Sequence, residues 1–276
     1  MFIQAKGRQL DLTTAAVMGI LNVTPDSFSD GDRYRTVQQS LFKAEEMVNQ
    51  GVSIIDVGGE STRPGWKPIS VQEEIDRVCP VIENIAKSLD IMISIDSYKA
   101  PVMKAAAAAG AHLLNDINGF RDIAAINCAV ETGAAVCVMH MDGDIEHMHD
   151  TLENHDVLNN VSMFFKQKID ELIAAGVSEK SIILDPGYGF GKTHQQNVHL
   201  LKHIADIYGA DRYPLLVGLS RKRMIGEITG KEVHNRLSGS IAAAIYAVLN
   251  GAKIVRVHDV AESVDALKVI NHIQQA

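Results

Sequence analysis

The chain has 276 residues and carries 26 Lys+Arg against 34 Asp+Glu, a formal charge of −8. With 46% hydrophobic and 22% charged residues it has the balance of a globular protein, long enough to bury a core without disulfide or metal staples. No run of about 18 uncharged apolar residues occurs, the opening MFIQAKGRQLDL lacks a signal peptide's apolar stretch, and Cys79, Cys128 and Cys137 have no paired spacing. The expectations are a cytoplasmic protein with reduced thiols and no membrane association. The acidic balance, with no Lys/Arg run, also argues against nucleic acid as the main partner.

In chain order, residues 2–12 alternate weakly and read as a small hairpin. One unit then recurs: a short apolar strand, a polar or Gly-rich turn, and an amphipathic helix. The strands are 17–23, 54–57, 92–96, 113–117, 135–139, 182–185, 215–218 and 254–257. The helices that follow them are 37–49, 71–88, 100–109, 123–131, 157–175, 197–208, 239–250 and 261–273. The strands are nearly continuous in apolar residues, as strands covered on both faces should be. Gly51, Gly110, Gly133, Gly176 and Gly251 each follow a helix, where a left-handed cap is common, and Pro101 falls in a first turn.

Eight strands alternating with eight helices predict a parallel α/β fold. The reading is one domain over 1–276, a (β/α)8 TIM barrel with the N-terminal hairpin covering its bottom. A doubly wound open sheet is the rival. It is disfavoured because no Gly-x-Gly-x-x-Gly turn follows the first strand.

Active sites of such barrels sit where strands end. The ends here are Asn22, Asp56, Asp96, Asn115 with Asp116, His140, Asp185, Ser220 to Lys222, and Arg256 with His258. Single Asp or Asn residues after strands often only cap the next helix, but the whole set has a chemical logic. Asp96, Asn115 and Asp185 suit the amidine-like N–C(NH2)–N edge of a heterocycle, and Lys222 can donate to a carbonyl or ring nitrogen of the same ligand. Asn22, Arg63, Arg256 and His258 suit a phosphate or diphosphate. Asn22, phosphate oxygens and waters could hold Mg2+, a cation that prefers oxygen. Two loops, 22–35 (NVTPDSFSDGDRYR) and 58–69 (GGESTRPGWKPI), exceed the usual βα turn of roughly two to six residues and read as substrate loops.

Nine segments carry a resemblance: VMGILNVTPDSFSDG, IIDVGGESTRPG, SIDSYKAPV, LLNDING, VCVMHM, ILDPGYGFGK, LLVGLSRKRMIG, RLSGSIAAA and IVRVHDV. Together, from about residue 17 to 260, they resemble dihydropteroate synthase of the bacterial folate pathway. The resemblance implies a Mg2+-assisted transferase joining 4-aminobenzoate to 6-hydroxymethyl-7,8-dihydropterin diphosphate, with diphosphate released. It implies a pterin pocket of Asp96, Asn115, Ile117, Met139, Asp185 and Lys222, and catalytic roles for Asp96, Asp185, Lys222 and Arg256. Asn22 (also the metal ligand), Arg63, Arg256 and His258 would hold diphosphate. Phe28, Thr62, Arg63, Pro64, Phe190 and Ser220 would hold 4-aminobenzoate. The family is inhibited by sulfonamides and is usually a cytoplasmic homodimer. The chain departs from the family at 30–34, where DGDRY stands in place of DGG.

Three other readings compete. A pterin-dependent methyltransferase would share the carboxylates but not need Arg63, Arg256 and the Ser220–Lys222 motif. A non-catalytic pterin-binding module would not need two long loops. A metal hydrolase would place a His-x-His pair where Asn22 stands. HMDGDIEHMHD at 140–150 reads as an exposed polar loop rather than a metal site, with His140 a satisfied strand-end histidine. GYGFGK at 187–192 reads as close backbone packing near the ligand rather than a phosphate loop, and the cysteines read as small core residues.

Overall fold

The computed structural model describes residues 1–23, 33–61, 67–147, 150 and 156–275. The chain opens with an antiparallel hairpin, β1 (Phe2–Ala5) and β2 (Arg8–Asp11), in register from Phe2↔Asp11 to Ala5↔Arg8. Eight parallel strands follow: β3 (Ala16–Asn22), β4 (Ile54–Gly58), β5 (Met92–Asp96), β6 (Leu113–Asp116), β7 (Ala135–Met139), β8 (Ile182–Asp185), β9 (Leu215–Val217) and β10 (Ala252–Val257). They close in the order β10-β3-β4-β5-β6-β7-β8-β9, so the predicted TIM barrel, and not an open sheet, is what forms.

The helices run α1 (Arg33–Gln50), α2 (Val71–Ser88), α3 (Ala100–Ala109), α4 (Ile123–Thr132), α5 (Val157–Ala175), α6 (His194–Lys202), α7 (Arg223–Thr229), α8 (Leu237–Leu249) and α9 (Val260–Gln275). Two differ from expectation. The helix expected at 197–208 begins earlier, because Thr193 and Gln196 cap each other reciprocally, and it ends in a separate 3-10 turn at Ile204–Asp206. The seven-residue α7 has no counterpart among the expected helices; it is too short for its apolar residues to show a helical period.

The barrel interior follows from the two-residue repeat of a strand. Every other residue points inward, and the inward positions nearest the strand starts are apolar. Ala16, Met18, Ile54, Met92, Leu113, Ala135, Ile183, Leu216 and Ile254 form one buried cluster together with Cys137. The hairpin closes this end: Ile3, Ala5 and Leu12 belong to the same cluster, each no more than 1% exposed. The outward strand residues, such as Val17, Ile55, Ile93, Leu114, Val136, Leu184 and Val255, pack under the helices in the larger core. Cys128 and Cys137 are buried, Cys79 is half-buried at the core's margin, and all three are free. No described helix is long and apolar enough to cross a membrane.

Leu12 plugs the end of the barrel remote from the polar strand ends. Leu12→Ala is therefore expected to cost about 2–5 kcal/mol in urea-induced unfolding while leaving kcat unchanged. A silent substitution in that experiment would mean the hairpin does not complete the core.

Candidate active site

Continuing the same alternation toward the strand ends, the inward positions turn polar. β4 contributes Asp56, β5 Asp96, β6 Asn115, β8 Asp185 and β10 Arg256. The helix-capping explanation can be checked residue by residue. It does not hold for Asp116, whose carboxylate accepts from the backbone N–H groups of Asn118 and Phe120, both at 2.7 Å, in the turn ahead of α4, a helix capped instead by Asp122. It fails for Asp96, because α3 is preceded by Lys99 with no side-chain cap. Asp185 is intermediate: Oδ1 accepts from Gly187 N–H at 2.8 Å.

Arg256 ties the set together. Its Nε donates to Asp56 Oδ2 at 2.6 Å and its Nη2 to Asp96 Oδ2 at 2.5 Å. Asn115 Nδ2 donates to the same Asp56 oxygen at 3.2 Å. Burial pushes the Asp96 carboxyl up to about 7, against the pull of Arg256 and with help from the neighbouring Asp56 charge. Burial likewise raises Asp185, countered by its Gly187 hydrogen bond and by Lys222. Lys222 is brought down to about 8 by burial, with the Asp185 charge opposing that fall. The four residues expected to be catalytic thus meet at one end of one barrel.

An apolar wall faces this charge. Ile117, Met139, Met141 and Phe190 cluster together, with Tyr98 and Ile145 against them. Lys222 Nζ lies 4.1 Å above the centre of the Phe190 ring, a cation–π contact. The loop bearing Phe190 needs its glycines, as the sequence reading anticipated. Gly187 has φ +67° and a Cβ there would stand 1.8 Å from the His140 carbonyl oxygen. Lys192, at the end of GYGFGK, is buried and donates to three backbone carbonyls, of His140 at 3.3 Å, Gly187 at 3.0 Å and Phe190 at 3.1 Å. Burial brings its ammonium down to about 7.

Two expectations for 140–150 need correction. His140, Met141 and Asp142 are buried, and exposure begins only at Gly143. His140 is not satisfied at both ring nitrogens: its Nδ1 has no hydrogen-bond partner among the described residues. Packing explains both, since the segment runs beneath the glycine loop and His140 stacks edge-on against Phe164 at 5.2 Å.

Past β9, Ser220 Oγ and His258 Nδ1 lie 3.0 Å apart, joining the ends of β9 and β10. Between Ser220 and Lys222, Arg221 adopts φ +58°, uncommon for a residue with a side chain. Ser240 Oγ accepts its N–H at 2.9 Å, Asp259 holds its guanidinium, and Arg236 donates to its carbonyl at 3.1 Å. This support aims Lys222 at the mouth. Asn22 ends β3 beside Gly58, where a Cβ would stand 3.6 Å from Asn22 Oδ1 and 3.7 Å from Asp96 Cβ. Phe28, Thr62, Arg63 and Pro64, with Asp30 to Asp32 of the departing DGDRY segment, lie outside the described residues.

The sequence reading assigned no role to several residues near this mouth. Asp56 stood among the strand ends, yet its place one layer below the others was not used. Lys192 and Arg236 lay inside quoted motifs, but their partners are backbone carbonyls, which no side-chain pattern reveals. Lys99 donates to Glu60 at 2.6 Å, to Glu74 at 2.8 Å and to the Ile69 carbonyl at 2.8 Å, fixing Glu60 and Ile69 on either side of the 62–66 segment.

Fold and site define a (β/α)8-barrel enzyme that can receive a flat polar ring on buried carboxylates, with cations beside it. Comparison with known proteins agrees. The family model described as "Pterin binding enzyme" matches residues 18–258. The dihydropteroate synthase of Escherichia coli (strain K12) is 46% identical over 266 residues, 96% of this chain and 94% of that protein. Among solved structures, Xanthomonas albilineans dihydropteroate synthase with 4-aminobenzoic acid is 41% identical, with a TM-score of 0.93 over 100% of this chain and 98% of that one. Yersinia pestis dihydropteroate synthase in a sulfonamide drug complex is 43% identical, with a TM-score of 0.92 over 100% and 99%. The chain belongs to the pterin binding enzyme family and, within it, to the dihydropteroate synthases.

The Asp96 value gives a pH prediction. Its folded carboxyl is raised to about 7, so the anion that would accept ring N–H groups is lost as pH falls through that value. Affinity for an unphosphorylated pterin, titrated without metal, should fall roughly tenfold from pH 8 to pH 6. Asp96→Asn should flatten that dependence; a wild-type profile already flat over this range contradicts the assignment.

Proposed function

We propose that this chain joins 4-aminobenzoate to 6-hydroxymethyl-7,8-dihydropterin diphosphate, giving 7,8-dihydropteroate and diphosphate, as one barrel domain over 1–276. The observation that carries the reading is the convergence of Asp96, Asn115, Asp185, Lys222 and Arg256 on one barrel mouth beside the apolar wall of Ile117 and Met139. The amidine-like edge of the pterin meets Asp96, Asn115 and Asp185, and Lys222 donates to the ring. Asn22, Arg63, Arg256 and His258 receive the diphosphate. Phe28, Thr62, Arg63, Pro64, Phe190 and Ser220 form the 4-aminobenzoate pocket, which is also where sulfonamides compete.

The chemistry follows from these charges. The bond between the exocyclic carbon and the diphosphate oxygen breaks, and its electron pair leaves with diphosphate. Positive charge spreads into the dihydropterin ring, where ionised Asp96 and Asp185 oppose it at close range. Arg256, Arg63 and His258 stabilise the departing anion. The aromatic amine, neutral at pH 7, then forms the new C–N bond and releases a proton to water, so no general base is required. The substitution is dissociative.

Mg2+ fits the donor chemistry at Asn22. Its amide oxygen is a hard donor, and Gly58 leaves the space beside it free of a side chain. Among the described residues no group of three or more His, Cys, Asp or Glu could cage a metal alone. The ion would therefore be shared between Asn22, diphosphate and water, supplying Lewis-acid stabilisation of the leaving group.

The assembly is a homodimer formed by neighbouring helices that expose apolar residues: Ile228 on α7, Tyr246 and Leu249 on α8, and Val269 and Ile273 on α9. Leu249→Glu should halve the mass measured by light scattering. An unchanged mass rules out this face.

The function is tested by diphosphate release in an assay with both substrates. Lys222→Ala and Asp185→Asn should each lower turnover at least about tenfold, roughly 1.4 kcal/mol or more of transition-state stabilisation, with the fold retained. Chelating Mg2+ should lower it too. Near wild-type kinetics in both variants would remove the site assignment, whereas methyl transfer without diphosphate release would favour the methyltransferase reading.

A further inference from the structure

Asp56 is fully buried, at 0% exposure, and sits one inward position below the ring-binding layer. Its Oδ2 accepts from both Arg256 Nε (2.6 Å) and Asn115 Nδ2 (3.2 Å). Its Oδ1 has no hydrogen-bond partner among the described residues, nor has Oγ of its register neighbour Ser94. This carboxylate therefore accepts from two residues assigned to substrate, on strands β6 and β10.

A role in stability alone does not explain this arrangement. Burying a charge is costly even when it is paired, and a hydrophobic side chain of similar volume usually serves a core as well or better. The layer below is apolar throughout, with Ile54, Met92 and Leu113. Geometry explains it. Arg256 lies between Asp56 and Asp96, and Asp185 and Lys222 also act on it electrostatically. Without Asp56 below, Arg256 would be drawn to Asp96 and Asp185, the acceptors the ring needs. The Nε bond leaves Nη2 on the outer side, where it reaches Asp96. The Asn115 bond fixes which face of the amide is engaged below, leaving its oxygen for a ligand.

We infer that Asp56 is a positioning residue for catalysis: it holds Arg256 and Asn115 in the orientation that receives the dihydropterin diphosphate, without touching substrate itself. This rests on the proposed site assignment of Arg256 and Asn115.

The test is a double-mutant cycle on the full-length enzyme, read as kcat/KM for dihydropterin diphosphate. Asp56→Asn keeps the shape and removes the charge, and should lower kcat/KM at least tenfold with a thermal midpoint close to wild type. In an Arg256→Gln background the same change should cost about threefold at most, because Asn115 is then the only group left for it to orient. Full activity of Asp56→Asn overturns the inference, and so does an equal loss in both backgrounds. Should Asp56→Asn fail to fold, Asp56→Ser is measured in the same cycle; failure of both to fold makes Asp56 a stability residue and overturns the inference. Arg256→Gln at wild-type activity would instead remove the site assignment beneath it.

Discussion

The two-residue repeat of a β-strand in a closed barrel is the constraint on which the rest depends. It gives each strand one inward residue in every two, so a strand three to seven residues long offers only one to four inward positions. In this chain the lower ones are spent on Met18, Ile54, Met92, Leu113, Ile183 and Ile254, which fill the cylinder. The upper ones are Asp96, Asn115, Asp185 and Arg256. Stability and chemistry are thereby separated along one axis, and the hairpin seals the end where only stability is at stake.

The separation has an electrostatic consequence. Asp56, Asp96 and Asp185 crowd around Arg256 and Lys222 where the medium is dry, and the charges control one another strongly. Burial raises Asp96 and Asp185 and lowers Lys222, so that Asp96 and Lys222 come within reach of neutral pH. A ring binding there meets groups already oriented by Asp56, Gly187 N–H and the supports around Arg221. Little reorganisation remains to be done when charge develops.

Much of this was legible in the sequence. Strand ends are polar where their interiors are apolar, so the barrel and the converging residues could be read together. Gly187 to Lys192 were correctly read as close packing, since three glycines in six residues fit little else. What was not legible depends on depth and on backbone partners. Asp56 looks like any strand-end carboxylate until register shows it one layer down. Lys192 and Arg236 bind carbonyls, which every residue possesses. The sequence reads His140 as a satisfied strand-end histidine, and its packing against Phe164 on α5, 24 positions away, is not visible there. The short α7 carries too few residues for a period to emerge.

The claim at the centre is that one barrel mouth grips a pterin by its amidine-like edge. A crystal structure of the protein with 6-hydroxymethylpterin tests it most directly. The account predicts the ring lying against Ile117 and Met139 with hydrogen bonds of about 2.7–3.2 Å to Asp96, Asn115 and Asp185, and Asp56 buried beneath Arg256 out of contact with the ligand. A ring bound elsewhere, or bound in this mouth with those carboxylates turned away from it, would contradict the account.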